Sequence, residues 1–174
     1  TNGTNWTEIN SGLTNTDVES LAIDSNGIVY AGTWGGGIFK STDGTNWTEI
    51  NSGMTAADVE SLAIDSNGIV YAGTYDGGVF KSTDGTNWKK INSGLTNTDV
   101  WSLAIDSNGI VYAGTYGGVF KSTDGTNWTE INSGLTAADV WSLAIDSRDT
   151  VYTGTYGGVF KSTDGTNWTE INSG

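Results

Sequence analysis

The chain has 174 residues with 26 Gly, no Pro, no Cys and no His, and a formal charge of −13. Without cysteine there is no disulfide and no thiolate metal site, and without histidine there is no imidazole base or imidazole ligand. Seven Lys and Arg against twenty Asp and Glu argue against nucleic acid, because phosphate binding depends on neutralising cations. No apolar run approaches the roughly 20 residues that span a bilayer, and Thr1-Asn2-Gly3-Thr4 carries no signal-peptide character, so neither membrane nor compartment is indicated.

In chain order, the first recognisable element is Asn5 to Ile9, which matches an outer strand met again further on. Val18 to Asp24 reads as a short strand (a), followed by Ser25-Asn26-Gly27, whose Asn-Gly pair favours the positive φ angles of a tight hairpin. Ile28 to Thr33 is strand b, rich in β-branched and aromatic residues. Gly35-Gly36-Gly37 turns the chain into strand c, Ile38 to Thr42, and Asp43-Gly44 turns it into strand d, Asn46 to Ile50. No part of the unit reads as a helix. Leu21 and Ile23 share one side of strand a and Ser20 and Ala22 the other, a pattern suited to sheets covered on both faces.

The unit then repeats. Trp6, Trp47, Trp88, Trp128 and Trp168 are spaced by 41, 41, 40 and 40 residues, and the text from Asp17 returns from Asp58, Asp99 and Asp139 with few changes. Four antiparallel strands in about 40 residues match one propeller blade. The predicted fold is an all-β propeller of four-stranded antiparallel blades, as a single unit over 1–174. Its repeats run 13–53, 54–94, 95–134 and 135–174, with an extra outer-strand copy in 1–12. Each repeat is expected to bury its faces only against a neighbour.

Ser41-Thr42-Asp43-Gly44-Thr45-Asn46-Trp47 resembles the Asp-box, or BNR, motif of sialidases, sortilin-type receptors and bacterial glycosidase propellers. It recurs at Ser82 to Trp88, Ser122 to Trp128 and Ser162 to Trp168, with a truncated version at Thr1 to Trp6, and is one residue shorter than the family motif between Asp and Trp. The resemblance implies a structural turn between strands c and d, on the face away from any ligand. Asp43, Asp84, Asp124 and Asp164, with Trp47, Trp88, Trp128 and Trp168, are then turn residues, the carboxylate accepting backbone N–H bonds.

Catalysis is not expected. Sialidases of this fold hold substrate with three arginines, and the chain has one, Arg148. Glycosidase relatives use two carboxyls in unlike environments, whereas nearly every acid here has copies in like surroundings. The exceptions, Asp76 and Asp149, fall in hairpin loops, and replacing Asn-Gly-Ile by Arg148-Asp149-Thr150 should leave the last a–b hairpin the least well formed. No segment has the spacing of a calcium loop, so neither metal nor cofactor is expected.

The positions that differ between repeats point to a surface. The b–c hairpins carry Trp34, Tyr75, Tyr116 and Tyr156 to the usual ligand face of a propeller, and one strand-a position reads Glu19, Glu60, Trp101, Trp141. Aromatics beside Asp and Asn suit sugar stacking, but packing over glycine turns is the favoured reading of these positions. Lys89-Lys90 replaces Thr-Glu in one outer strand and reads as a solvated edge. Asn5, Asn46, Asn127 and Asn167 head glycosylation-type triplets that follow from the repeat itself. An arc of four blades would expose two apolar faces, so the expected partner is a second copy of the chain, completing a ring of about eight blades. The expected function is a recently amplified or designed scaffold; the alternative is a multivalent glycan-binding propeller.

Overall fold

The computed structural model describes residues 3–172, and among these all regular structure is strand. The first sheet holds β1 (Val18–Ile23), β2 (Val29–Thr33), β3 (Gly37–Ser41) and β4 (Thr48–Glu49). The second holds β5 (Val59–Ile64), β6 (Val70–Thr74), β7 (Gly78–Ser82) and β8 (Lys89–Lys90). β9 (Val100–Ile105), β10 (Val111–Thr115), β11 (Gly118–Ser122) and β12 (Thr129–Glu130) form the third. The fourth is β13 (Val140–Ile145), β14 (Val151–Thr155), β15 (Gly158–Ser162) and β16 (Thr169–Glu170). Each sheet is a four-stranded antiparallel meander in chain order.

The sheets meet most closely at their first strands, β1 on β5, β5 on β9 and β9 on β13, while the outer strands diverge. That is a fan of blades. The cores lie between blades rather than within them. Tyr30, Ile38 and Ile50 of the first blade close over Val59, Leu62, Val70, Phe80 and Trp88 of the second, and the same set recurs between the second and third and the third and fourth. Strand a splits as its alternation predicts. Leu62 faces back into that core, while Ser61 faces forward and its Oγ accepts the Leu103 N–H at 2.9 Å. Close approach depends on Gly73: a Cβ there would lie 2.6 Å from Val100 Cγ1.

Three local expectations are corrected. The outer strand is two residues long rather than five, because Trp47 leaves the ladder: its N–H donates to the Ser11 carbonyl at 2.8 Å, and Asn46 bridges Ser11 in parallel. The fifth outer strand, expected at Asn5 to Ile9, does not form, since no third strand lies beside it. Its end is still used, the Ile9 carbonyl accepting the Trp47 indole N–H at 2.7 Å as Ile50 accepts that of Trp88 at 2.8 Å.

The last a–b hairpin is not degraded. Asp149 takes φ 60°, in place of Gly27 at 81°. Its N–H reaches the Asp146 carbonyl at 3.0 Å, matching Gly27 to Asp24. Asp tolerates this left-handed conformation better than most residues, and its carboxylate also accepts the Ser107 N–H at 2.9 Å and the Ser107 hydroxyl at 2.7 Å. In the Asn-Gly hairpins only the glycine takes positive φ; the Asp24 carboxylate instead holds the turn, accepting N–H bonds from Asn26 and Ile28 at 2.9 Å.

The two ends of the fan are unmatched. Leu21 is 62% exposed and its counterpart Leu62 is 7% exposed. Val159 is 43% exposed where Val79 and Val119 are fully buried. Among the described residues β13 makes no packing on β1 comparable to that between neighbouring blades.

Candidate functional site

Antiparallel connection puts the b–c hairpins and the d–a connections at one end of every blade, and hydrogen bonds join them into a continuous surface. Trp34 N–H donates to the Asp17 carbonyl at 2.9 Å, and Tyr75, Tyr116 and Tyr156 repeat this with Asp58, Asp99 and Asp139 at 3.0, 3.3 and 3.3 Å. Bonds between blades run along the same surface. Gly37 N–H reaches the Ala57 carbonyl at 2.8 Å, and Asp76 N–H reaches the Asp99 carboxylate at 3.0 Å. A shallow cavity of about 330 Å3, lined by Asn51, Met54, Thr55, Ala56 and Ala57, opens beside these contacts.

Strand a carries a β-bulge in every blade, with register shifts at Val18/Ser20, Val59/Ser61, Val140/Ser142 and the matching step of β9. The residue left unpaired is Glu19, Glu60, Trp101 and Trp141 in turn. A bulge re-aims the side chain it contains, and here it gives a set that switches from Glu in the first two blades to Trp in the last two a common setting on the innermost strand. The bulge has no composition signal, so the sequence showed the variation but not its cause.

Four aromatics form an unbroken row across the blades. Ring centroids are 5.9 Å apart for Trp34 and Tyr75, 6.0 Å for Tyr75 and Trp101, and 5.4 Å for Trp101 and Trp141. Three of its rings are exposed, Trp141 at 54%, Trp34 at 44% and Tyr75 at 39%, and Trp101 is half-buried among them. Tyr116 and Tyr156 sit at the matching hairpins, exposed, but outside the row. Their hairpins are one residue shorter, Tyr116-Gly117 against Tyr75-Asp76-Gly77, which is also why the tryptophan spacing drops from 41 to 40.

Glu60 stands between the bulges of Glu19 and Trp101 and is half-buried, with Oε1 inaccessible and without a hydrogen-bond partner. Its carboxyl is held above the ordinary range, first by desolvation and then by the charges of Glu19 and Asp58. Nothing basic offsets this. The chain's cations lie on strands c and d or in the a–b hairpin of Arg148, and Lys40, Lys81 and Lys121 reach the Gly85, Gly125 and Gly165 carbonyls at the opposite end.

At that opposite end lie the Asp turns. Asp84 Oδ1 accepts the N–H groups of Thr86 and Asn87 at 2.9 and 2.7 Å, and Oδ2 accepts Asn87 Nδ2 at 2.7 Å. Asp43, Asp124 and Asp164 make the same bonds, and in all four they hold the carboxyl well below its usual range. Trp88, Trp128 and Trp168 are buried and donate Nε1 to the preceding blade's Ile50, Ile91 and Ile131 carbonyls at 2.8, 2.6 and 2.6 Å. Asn46, Asn127 and Asn167 have their amides engaged by the turn carboxylates at 2.6–2.7 Å. Lys89 and Lys90 are exposed on β8, opposite Lys81 and Phe80.

Residues 94–117, covering the first two strands of the third blade, match the family model of the two component regulator propeller. Similar solved structures share the blade arrangement. The chain is a β-propeller repeat protein. An ancestral GH74 enzyme superposes with a TM-score of 0.76 at 26% identity, covering 97% of the propeller and 25% of the enzyme. The extracellular domain of a hybrid two component system of B. thetaiotaomicron gives 0.73 at 22%, covering 91% and 22%. The computationally designed Ika4 protein gives 0.65 at 22%, covering 86% of the propeller and 91% of Ika4. The propeller thus spans about a quarter of the first two relatives' length. No curated protein matches it.

Proposed function

We propose that the propeller is a non-catalytic repeat scaffold whose role is to fold and to assemble with itself. One observation carries this reading: the blade-on-blade interface occurs three times within the chain, and its two halves stand unmatched at the ends. Leu21 and Ile23 offer the backward half, and Val159 and Ile171 the forward half, all more than a third exposed. Burying one such side chain stabilises by about 1.5–3 kcal/mol. The interface is complementary to itself, since its internal copies bury Leu62, Val79 and Ile91 almost completely. A second copy placed head to tail at each end supplies the missing neighbour and closes a ring of about eight blades. Likeness to the designed Ika4 protein over nearly its whole length supports a scaffold role. Native mass spectrometry is expected to give twice the 18.2 kDa chain mass; a clean monomer at every concentration overturns the reading.

A second reading is favoured by the aromatic row. The rings stand 5.4–6.0 Å apart, tilted 39–62° to one another, and Trp34, Tyr75 and Trp141 are exposed, so each offers a separate face for a sugar ring to stack on and the same scaffold serves as a glycan-binding propeller. Trp141→Ala is expected to weaken retention on any glycan the chain binds, while leaving the fold intact because the ring is half exposed. Silence on a glycan array removes this second reading.

A further inference from the structure

The aromatic row does not stand alone at its end of the fan. The bulge positions that carry indoles in the third and fourth blades carry carboxylates in the first and second, so the four innermost side chains read Glu19, Glu60, Trp101, Trp141. Asp58 and Asp76 lie on the adjoining connections, and no Lys or Arg occurs in the b–c hairpins, the d–a connections or the bulges. The chain as a whole carries −13.

Packing explains the rings less well than it explains other aromatics of the fold. Trp88, Trp128 and Trp168 are buried with their indole N–H bonded, whereas Trp34 and Trp141 are about half exposed, Trp34 touching the exposed Tyr75 and Trp141 the half-buried Trp101. Packing explains Glu60 not at all. Its Oε1 lacks a donor, and no basic side chain lies at that end to provide one. A half-buried carboxylate facing two like charges is unfavourable for folding alone, and becomes favourable when a cation arrives.

We infer that this mouth selects a glycan bearing free ammonium groups, an oligosaccharide of glucosamine type, over neutral and acidic sugars. The inference rests on the glycan reading of the row and adds the charge of the ligand. Each part of the mouth has a matching part in such a ligand. The sugar's C–H face stacks on the rings, its ammonium pairs with the exposed Glu19 and with the Oε2 side of the Glu60 carboxylate, and an ammonium over an indole face gains cation–π attraction. A neutral sugar satisfies the rings and leaves Glu60 without its ion. A uronic or sialic acid meets a field of its own sign with no arginine or lysine to receive it.

The test is calorimetric titration with a glucosamine hexamer and with the fully N-acetylated hexamer of the same length, at low salt and at 150 mM, beside spermine as a sugar-free cation. The free-amine hexamer is expected to bind at least about tenfold more tightly than its acetylated twin, with the preference shrinking as salt rises. Glu60→Gln should reduce that preference, and Trp101→Ala or Trp141→Ala should weaken both hexamers. Equal affinities for the two hexamers overturn the charge selection and leave the glycan reading standing. Absence of binding by either removes both. Spermine binding as tightly as the hexamer, with the tryptophan variants unaffected, shows bare electrostatic attraction and also overturns the inference.

Discussion

Gly32, Gly73 and Gly114 each face a valine of the following blade, and a Cβ at these positions would stand 2.5–2.6 Å from the valine Cγ1. The small residue and the branched one are a matched pair reaching from blade to blade, which single-repeat inspection cannot distinguish from a weak strand position. A second residue-scale feature is a mismatch. Thr153 replaces the alanine found at Ala31, Ala72 and Ala113, and its hydroxyl is buried without a hydrogen-bond partner. An unsatisfied buried hydroxyl costs about 1–3 kcal/mol. Thr153→Ala is therefore expected to stabilise the chain by about 1 kcal/mol, seen as a higher denaturation midpoint with unchanged slope in urea.

At the scale of the element, the blade is held at its two ends by different devices. The Asp turns close the c–d end. Their carboxyls ionise more readily folded than unfolded, so their contribution is fully present above the ordinary carboxylate range, about pH 4, and is lost as pH falls through the depressed folded values. Glu60 acts in the opposite sense: its raised folded value makes its charge unfavourable once pH rises through it. Stability is expected to fall as the solution is acidified below about pH 4, through the turn carboxylates. Glu60→Gln should stabilise at neutral pH and leave that acid limb unchanged, which urea titrations from pH 7 to pH 2 would show. The other end is shaped by the bulge and by hairpin length. The glycine-rich text at residues 35–37, 77–78 and 117–118 announces a turn, while the aromatics that join the row from these hairpins, Trp34 and Tyr75, are those of the two longer ones.

For the whole molecule the governing quantities are the two open end faces and the charge. Ring closure between copies brings together chains of −13 each, so repulsion opposes what apolar burial favours. Association is expected to strengthen as salt rises from about 20 to 200 mM, with the Debye length falling toward 8 Å; sedimentation at several salt concentrations measures it. Leu21→Asp is expected to keep the chain monomeric without unfolding it, because Leu21 is already 62% exposed. Association undiminished by that substitution would place the contact elsewhere.

What the sequence determined by itself was local and repetitive: four copies of a four-stranded meander, the Asx turns at Asp43, Asp84, Asp124 and Asp164, and the facing of Leu21 and Ser20 to opposite sides. These follow from neighbouring residues, whose turn chemistry and alternation act over a few positions. Tertiary structure alone decided the rest. It withdrew Trp47 from its ladder to serve the preceding segment, left Asn5 to Ile9 without a sheet, placed the bulge beneath Glu60 and Trp101, and chose the rings that meet. Each of those outcomes depends on what an adjacent blade presents across a gap of about 40 residues, and no local pattern carries that information.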